Sequence, residues 1–201
     1  MDFETVVVGF LGVNCYLVPV PSEDALYIID PGASAAEIAR RAKSFGLGKH
    51  KILLTHAHID HIGGINDLEA ELPIDSIFLH PGDRPLFESP ANALPPTMPP
   101  LANPPETSAE NASDAFETIH TPGHTPGGTC FHFPTEKILF SGDTLLQRSI
   151  GRTDLPGGDT DALLASIKNK LLALPDDTRV FPGHGPPTTI GDEKRMNPFL
   201  A

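Results

Sequence analysis

Five histidines and two aspartates carry the most specific chemical signal in this chain. His56, His58 and His61 fall within six residues, in Thr55-His56-Ala57-His58-Ile59-Asp60-His61, straight after a strand-like run that ends at Leu54. Side chains at i and i+2 of an extended chain share a side, so His56 and His58 can aim at one metal ion. Asp60 and His61 face elsewhere, and a turn into helix at Ile62-Gly63-Gly64 would let them serve a neighbouring ion. Three further candidates recur in one setting: His124 after Pro122-Gly123, Asp143 after Ser141-Gly142 and His184 after Pro182-Gly183. Each follows an apolar strand and sits beside glycine, so a rigid scaffold holds the ligand while the backbone turns sharply. Divalent ions held in this way make water nucleophilic at neutral pH. His50, His80, His120 and His132 lack that setting and read as surface or hydrogen-bonded core residues.

The elements that must place these residues are short. Strands are expected at Val6 to Val8, Cys15 to Val18, Leu26 to Ile29, Ile52 to Leu54 and Ile77 to Leu79, then at Phe116 to His120, Thr129 to Phe133, Ile138 to Phe140 and Val180-Phe181. Helical periodicity covers Ala35 to Phe45, with Ser34 and Glu37 in a capping-box pattern and Gly46 as the stop. Further helices are expected from Gly63 to Leu72 and from Asp161 to Leu174, with a last short turn at Glu193 to Asn197. Prolines bunch from Pro81 to Pro105, which predicts one long loop at about 81–113 that is neither helix nor central strand. Strands followed by helices on either side of that break suggest two similar halves packed as an α/β sandwich within one domain, 1–201.

The 201 residues hold 14 Lys and Arg against 26 Asp and Glu, a net charge of −12, and no basic run. Binding to nucleic acid is disfavoured on that ground. No apolar run approaches the ~20 residues of a membrane span. Met1-Asp2-Phe3-Glu4 is acidic where a signal peptide would be positive, so a cytoplasmic protein with no membrane partner is expected. Cys15 and Cys130 sit far apart in apolar stretches and read as buried thiols.

His-x-His-x-Asp-His followed by Gly-His, Gly-Asp and Gly-His resembles the metallo-β-lactamase-fold hydrolases, and within them the short glyoxalase II-like enzymes. The likeness runs from Asn14-Cys15-Tyr16-Leu17-Val18 and Asp30-Pro31-Gly32 to Asn197-Pro198-Phe199-Leu200. It implies an αββα sandwich of two mixed sheets flanked by helices. It also implies that His56, His58 and His124 hold one metal, that Asp60, His61 and His184 hold a second, and that Asp143 bridges them. Asp30 either orients a ligand or simply makes an Asp-Pro-Gly turn. Two such ions, ~3.5 to 4 Å apart, lower the pKa of a shared water toward ~7. Asp60 can bind metal and accept a hydrogen bond from the resulting hydroxide.

The activity implied is hydrolysis of a small-molecule thioester of the acyl-glutathione type, such as lactoylglutathione, whose thiolate leaves with little protonation. Zinc is the first choice of metal, with iron and manganese equally suited to mixed His and carboxylate ligation. Arg152 and Arg148, in the segment after Gly142-Asp143, are candidates for holding the substrate, Arg152 through a carboxylate. An internal ion pair of Arg152 with Asp154 is the competing role. Glyoxalase II enzymes carry a further C-terminal helical domain for glutathione; here the Pro-rich stretch could replace it as a lid, or be a solvated linker. Two other readings compete: a mononuclear iron persulfide dioxygenase, whose members share Gly-Arg-Thr-Asp (Gly151 to Asp154 here), and a non-catalytic metal-binding relative.

Overall fold

The computed structural model describes residues 2–94, 96–110 and 113–200. Pro95, Asn111 and Ala112, part of the expected loop, lie outside the described residues. The chain divides into two compact units, 1–111 and 112–201.

The first unit carries a five-stranded mixed sheet in sequence order: β1 (Glu4–Val8), β2 (Val13–Val20), β3 (Ala25–Ile29), β4 (Lys49–Leu53) and β5 (Ser76–Phe78). The first three run antiparallel through tight connections, while β3, β4 and β5 are parallel. Parallel neighbours need crossovers, and these are helical. Helix α1 (Ala35–Ser44) links β3 to β4, and α2 (Ile59–Ile62) with α3 (Ile65–Glu71) links β4 to β5. Leu26, Ile28 and Ile52 from alternate sheet positions meet Ile38, Ala39 and Ala42 of α1 and Ile65 and Leu68 of α3 in one core.

Three local expectations are corrected here. The capping box at α1 does not form, because Ser34 stands at φ 61° and its side chain caps nothing. The Glu37 carboxylate instead accepts from Arg40 and Arg41 at 2.6 to 2.8 Å, charged donors that outcompete a neutral N–H. The single helix expected from Gly63 is two helices, with α2 starting at Ile59, so that Asp60 and His61 lie in its one turn. The proline-rich stretch is not free of helix: a 3-10 turn at Pro81–Asp83 runs into α4 (Arg84–Phe87). Pro81 and Pro85 occupy first-turn positions, where a missing N–H removes no helical bond. Phe87 is buried and Met98 and Leu101 pack on the first unit's core, so this stretch is part of that unit's packed body.

The second unit has the sheet order β12-β11-β8-β7-β6, formed by β6 (Glu117–His120), β7 (Thr129–Phe133), β8 (Ile138–Gly142), β11 (Arg179–Pro182) and β12 (Thr188–Thr189). Only β8 and β11 are parallel. Between them the chain makes a small hairpin, β9 (Leu145–Leu146) with β10 (Ser149–Ile150), and helix α5 (Thr160–Ser166), extended by a π-type turn at Ile167–Leu171. Leu163, Ile167 and Leu171 fall on one face and pack on Cys130, Leu139 and Val180. The last turn expected at Glu193 to Asn197 is a longer helix, α6 (Ile190–Met196), because Thr189 caps it by accepting from the Asp192 N–H.

Each unit is thus a mixed sheet with helices, and the chain is of the α/β class. Both cysteines are buried and free. Among the described residues no helix is long and apolar enough to cross a membrane.

Candidate metal centre

In the first unit the histidines leave the end of β4 as the sequence indicates. His56 and His58 lie with ring centroids 4.9 Å apart, and His56 and His61 with centroids 4.1 Å apart. A chain of hydrogen bonds behind them fixes their orientation. Asp30, 1% exposed, accepts from the Thr55 N–H through Oδ1 (2.8 Å), and through Oδ2 from the Thr55 hydroxyl (2.5 Å) and His61 Nδ1 (2.9 Å). With the Thr55 hydroxyl proton committed to Asp30, Thr55 Oγ1 accepts from His56 Nδ1 at 3.0 Å. Both rings therefore carry their proton on Nδ1, which leaves Nε2 as the metal-binding atom. Asp30, His56 and His61 offer ligand atoms within 4.8 Å of one another. The Asp30 oxygens, however, are taken by Thr55 and His61, so this trio reads as an orienting network and not as a complete ligand set. Asp30 is more than a turn residue.

Asp60 Oδ2 lies 3.8 Å from His61 Nε2. That exceeds a hydrogen bond and approaches the ~3.4 Å between two ligand atoms around a tetrahedral ion with ~2.1 Å bonds. Gly32 makes this approach possible: a Cβ there would fall on the Asp60 carbonyl. Only glycine lets the turn after Asp30 pass that close to α2.

The second unit repeats the construction. His124, Asp143 and His184 stand at ends of strands, and Asp143 Oδ2 lies 3.7 Å from both His124 Nε2 and His184 Nε2. One carboxylate oxygen equidistant from two imidazole nitrogens, beyond hydrogen-bond range of each, fits a carboxylate shared by two ions. His124 Nδ1 donates to the Arg152 carbonyl at 2.7 Å, so its Nε2 is again the atom that can bind metal. Gly151 packs so closely on Asp143 that a Cβ would overlap the Asp143 carbonyl and lie 3.0 Å from His124 Nδ1.

The guanidinium of Arg152 forks onto Asp154, with Nε to Oδ1 at 2.7 Å and Nη2 to Oδ2 at 2.8 Å. The pair is exposed, and the fork holds the Asp154 carboxyl down at about 2. Arg152 thus serves the site through its backbone, and its side chain makes the internal pair. Arg148 is exposed at φ 57°, with its N–H bound by Glu193 Oε2.

The remaining histidines keep structural surroundings. His132 Nδ1 bonds Glu117, His120 Nε2 bonds the Pro126 carbonyl, His80 accepts from Gly82, and His50 is buried on β4.

Sequence reasoning missed three supports. Ala57, between two of the clustered histidines, donates its N–H to buried Asp83 (2.9 Å), and its carbonyl accepts from Asn92 Nδ2 (2.7 Å). Both partners come from the proline-rich stretch, more than 25 positions away, so no local spacing reveals them; the one available hint is a pair of amide and carboxylate residues among prolines. The third is Glu193, fully buried, whose carboxylate accepts from the Arg148 N–H, the Thr188 hydroxyl and Asn197 Nδ2.

Comparison with known proteins agrees with this architecture. The model of the metallo-β-lactamase superfamily matches residues 8–184. Hydroxyacylglutathione hydrolase GloC of Haemophilus influenzae is 39% identical over 100% of this chain and 98% of its own. Among solved structures, the BLEG-1 B3 metallo-β-lactamase has a TM-score of 0.89 at 40% identity, covering 99% of each chain. A di-iron-bound form of TTHA1623 has a TM-score of 0.87 at 42% identity, covering 98% of this chain and 100% of that one. Two mixed sheets, His and Asp donors at strand ends and likeness along the whole length converge: this chain belongs to the metallo-β-lactamase superfamily and is a metallo-hydrolase.

Proposed function

We propose that the protein is a binuclear thioesterase acting on acyl-glutathione, with the ligand set that the family resemblance implies: His56, His58 and His124 for one divalent ion, Asp60, His61 and His184 for a second, and Asp143 as their bridge. The observation that carries the substrate is the GloC match, which runs along essentially the whole of both chains. The donor chemistry suits zinc, iron or manganese, and the di-iron form of a 42% identical protein keeps iron in play.

Ions bound there supply Lewis acidity toward the substrate carbonyl and lower the pKa of water. The chain's own residues supply the rest. Thr55, Asp30 and the Arg152 carbonyl hold the Nδ1 protons of His56, His61 and His124, so that each Nε2 stays basic and aimed. The Asp60 carboxylate would bind metal through one oxygen and accept a hydrogen bond from the attacking water through the other. No cationic side chain is needed for departure, because a thiolate leaves unprotonated. The expected setting is the cytoplasm.

The test is metal content per chain on anaerobically purified protein, together with assays on S-lactoylglutathione, a β-lactam and glutathione persulfide. About two metals with thiol release from the thioester is the expected result. One iron with persulfide-dependent oxygen uptake would replace this reading by a dioxygenase, and β-lactam turnover without thioesterase activity would move it to amide hydrolysis. Asp143→Ala should bind at most one metal and lose at least ~100-fold in kcat.

A further inference from the structure

The seven arginines of this acidic chain divide unevenly. Five pair with carboxylates: Arg40 and Arg41 with Glu37, Arg84 with Glu88, Arg152 with Asp154 and Arg195 with Asp192. Arg148 and Arg179 have no carboxylate within ion-pair distance among the described residues, although acids outnumber bases 26 to 14. Both line one cavity of about 420 Å³ in the second unit, with Phe181 and Pro187 as its apolar wall. Asp192 also borders it; its carboxylate accepts from Arg195 at 2.8 Å and feels the Arg148 charge beyond ion-pair distance.

Arg179 is held at its guanidinium and Arg148 at its backbone. Arg179 lies over the Phe181 ring, 5.6 Å from its centroid, which sets a planar cation against an aromatic face. Arg148 occupies a left-handed backbone position, φ 57°, fixed by the Glu193 carboxylate on its N–H. Glycine or asparagine would adopt that conformation with less strain, so the turn itself does not call for arginine.

We infer that this cavity binds a small organic dianion, two oxyanion groups on a compact apolar body, with Arg148 and Arg179 taking one group each and Phe181 and Pro187 packing the body. The volume suits a ligand of that size, and guanidiniums fork onto carboxylate or phosphate alike. The inference stands on the second unit alone and does not depend on the thioesterase reading.

The experiment is calorimetric titration of the metal-loaded full chain with phthalate, benzoate, inorganic phosphate and neutral benzamide. Phthalate should bind at least about tenfold more tightly than benzoate or phosphate, benzamide should not bind, and phthalate affinity should fall with added salt. Arg148→Gly, which relaxes the backbone and so should fold normally, is expected to bring phthalate down to the level of benzoate; Arg179→Gln should do the same. Equal binding of phthalate and phosphate would overturn the apolar component. Phthalate affinity unchanged in both variants, or no binding by the parent protein, would overturn the site.

Discussion

At the scale of single residues, the centre depends on which ring nitrogen carries the proton, and Asp30 governs that for His61 directly and for His56 through Thr55. Asp30→Ala leaves three buried donors without their acceptor. It should cost about 2–4 kcal/mol of stability and lower metal affinity by ~10- to 100-fold, read by thermal unfolding and by chelator competition. The Arg152–Asp154 fork gives a pH prediction. The Arg152 guanidinium holds the Asp154 carboxyl at about 2, below the usual aspartate value of 3.8, so the fork is intact above pH 4 and opens as pH falls through 2. A carboxyl-detected NMR titration reads this midpoint, and Arg152→Ala should raise it toward the ordinary aspartate value, while Asp154→Asn frees the Arg152 guanidinium. If that freed Arg152 lowers KM for an anionic thioester, it can act as the carboxylate clamp that the sequence suggested. Burial pushes the Cys130 thiol up to about 11 and raises the Cys15 thiol as well, so neither should react with a disulfide reagent at pH 8 until the chain unfolds.

At the scale of elements, what the sequence disclosed and what it hid divide along one physical line. A ligand-type residue just past a strand end is a local pattern: His56 and His58 follow β4, Asp143 follows β8 and His184 follows β11, whereas Asp60 and His61 fall within α2. Glu37 was misread because a propensity for capping says nothing of two guanidiniums one turn ahead. Asp83, Asn92 and Glu193 were missed because their partners are distant in sequence and each residue type is ordinary in a turn or helix. The close approaches are equally non-local: nothing near Gly32 in the sequence announces the Asp60 carbonyl. Gly32→Ala should therefore cost about 3 kcal/mol and displace α2 with Asp60 and His61. Gly151→Ala should weaken metal binding through Asp143 and His124. Cobalt absorption spectra of the two variants would report the ligand displacement separately from any fall in unfolding temperature.

At the scale of the molecule, a net charge of −12 opposes an anionic substrate before it reaches any local cation. Raising ionic strength from ~10 to ~150 mM shortens the Debye length from ~30 to ~8 Å, so kcat/KM for an acyl-glutathione should rise by about two- to fivefold, with kcat nearly unchanged. Steady-state kinetics across a salt series measures it. The double grip on Ala57 has a consequence for rebuilding the enzyme. The proline-rich stretch supplies both the acceptor and the donor that clamp the backbone between His56 and His58. Grafting that stretch from a relative would therefore transplant part of the metal cradle along with it. Chimeras made at this boundary should differ in which cation they select, even with every histidine left as it is.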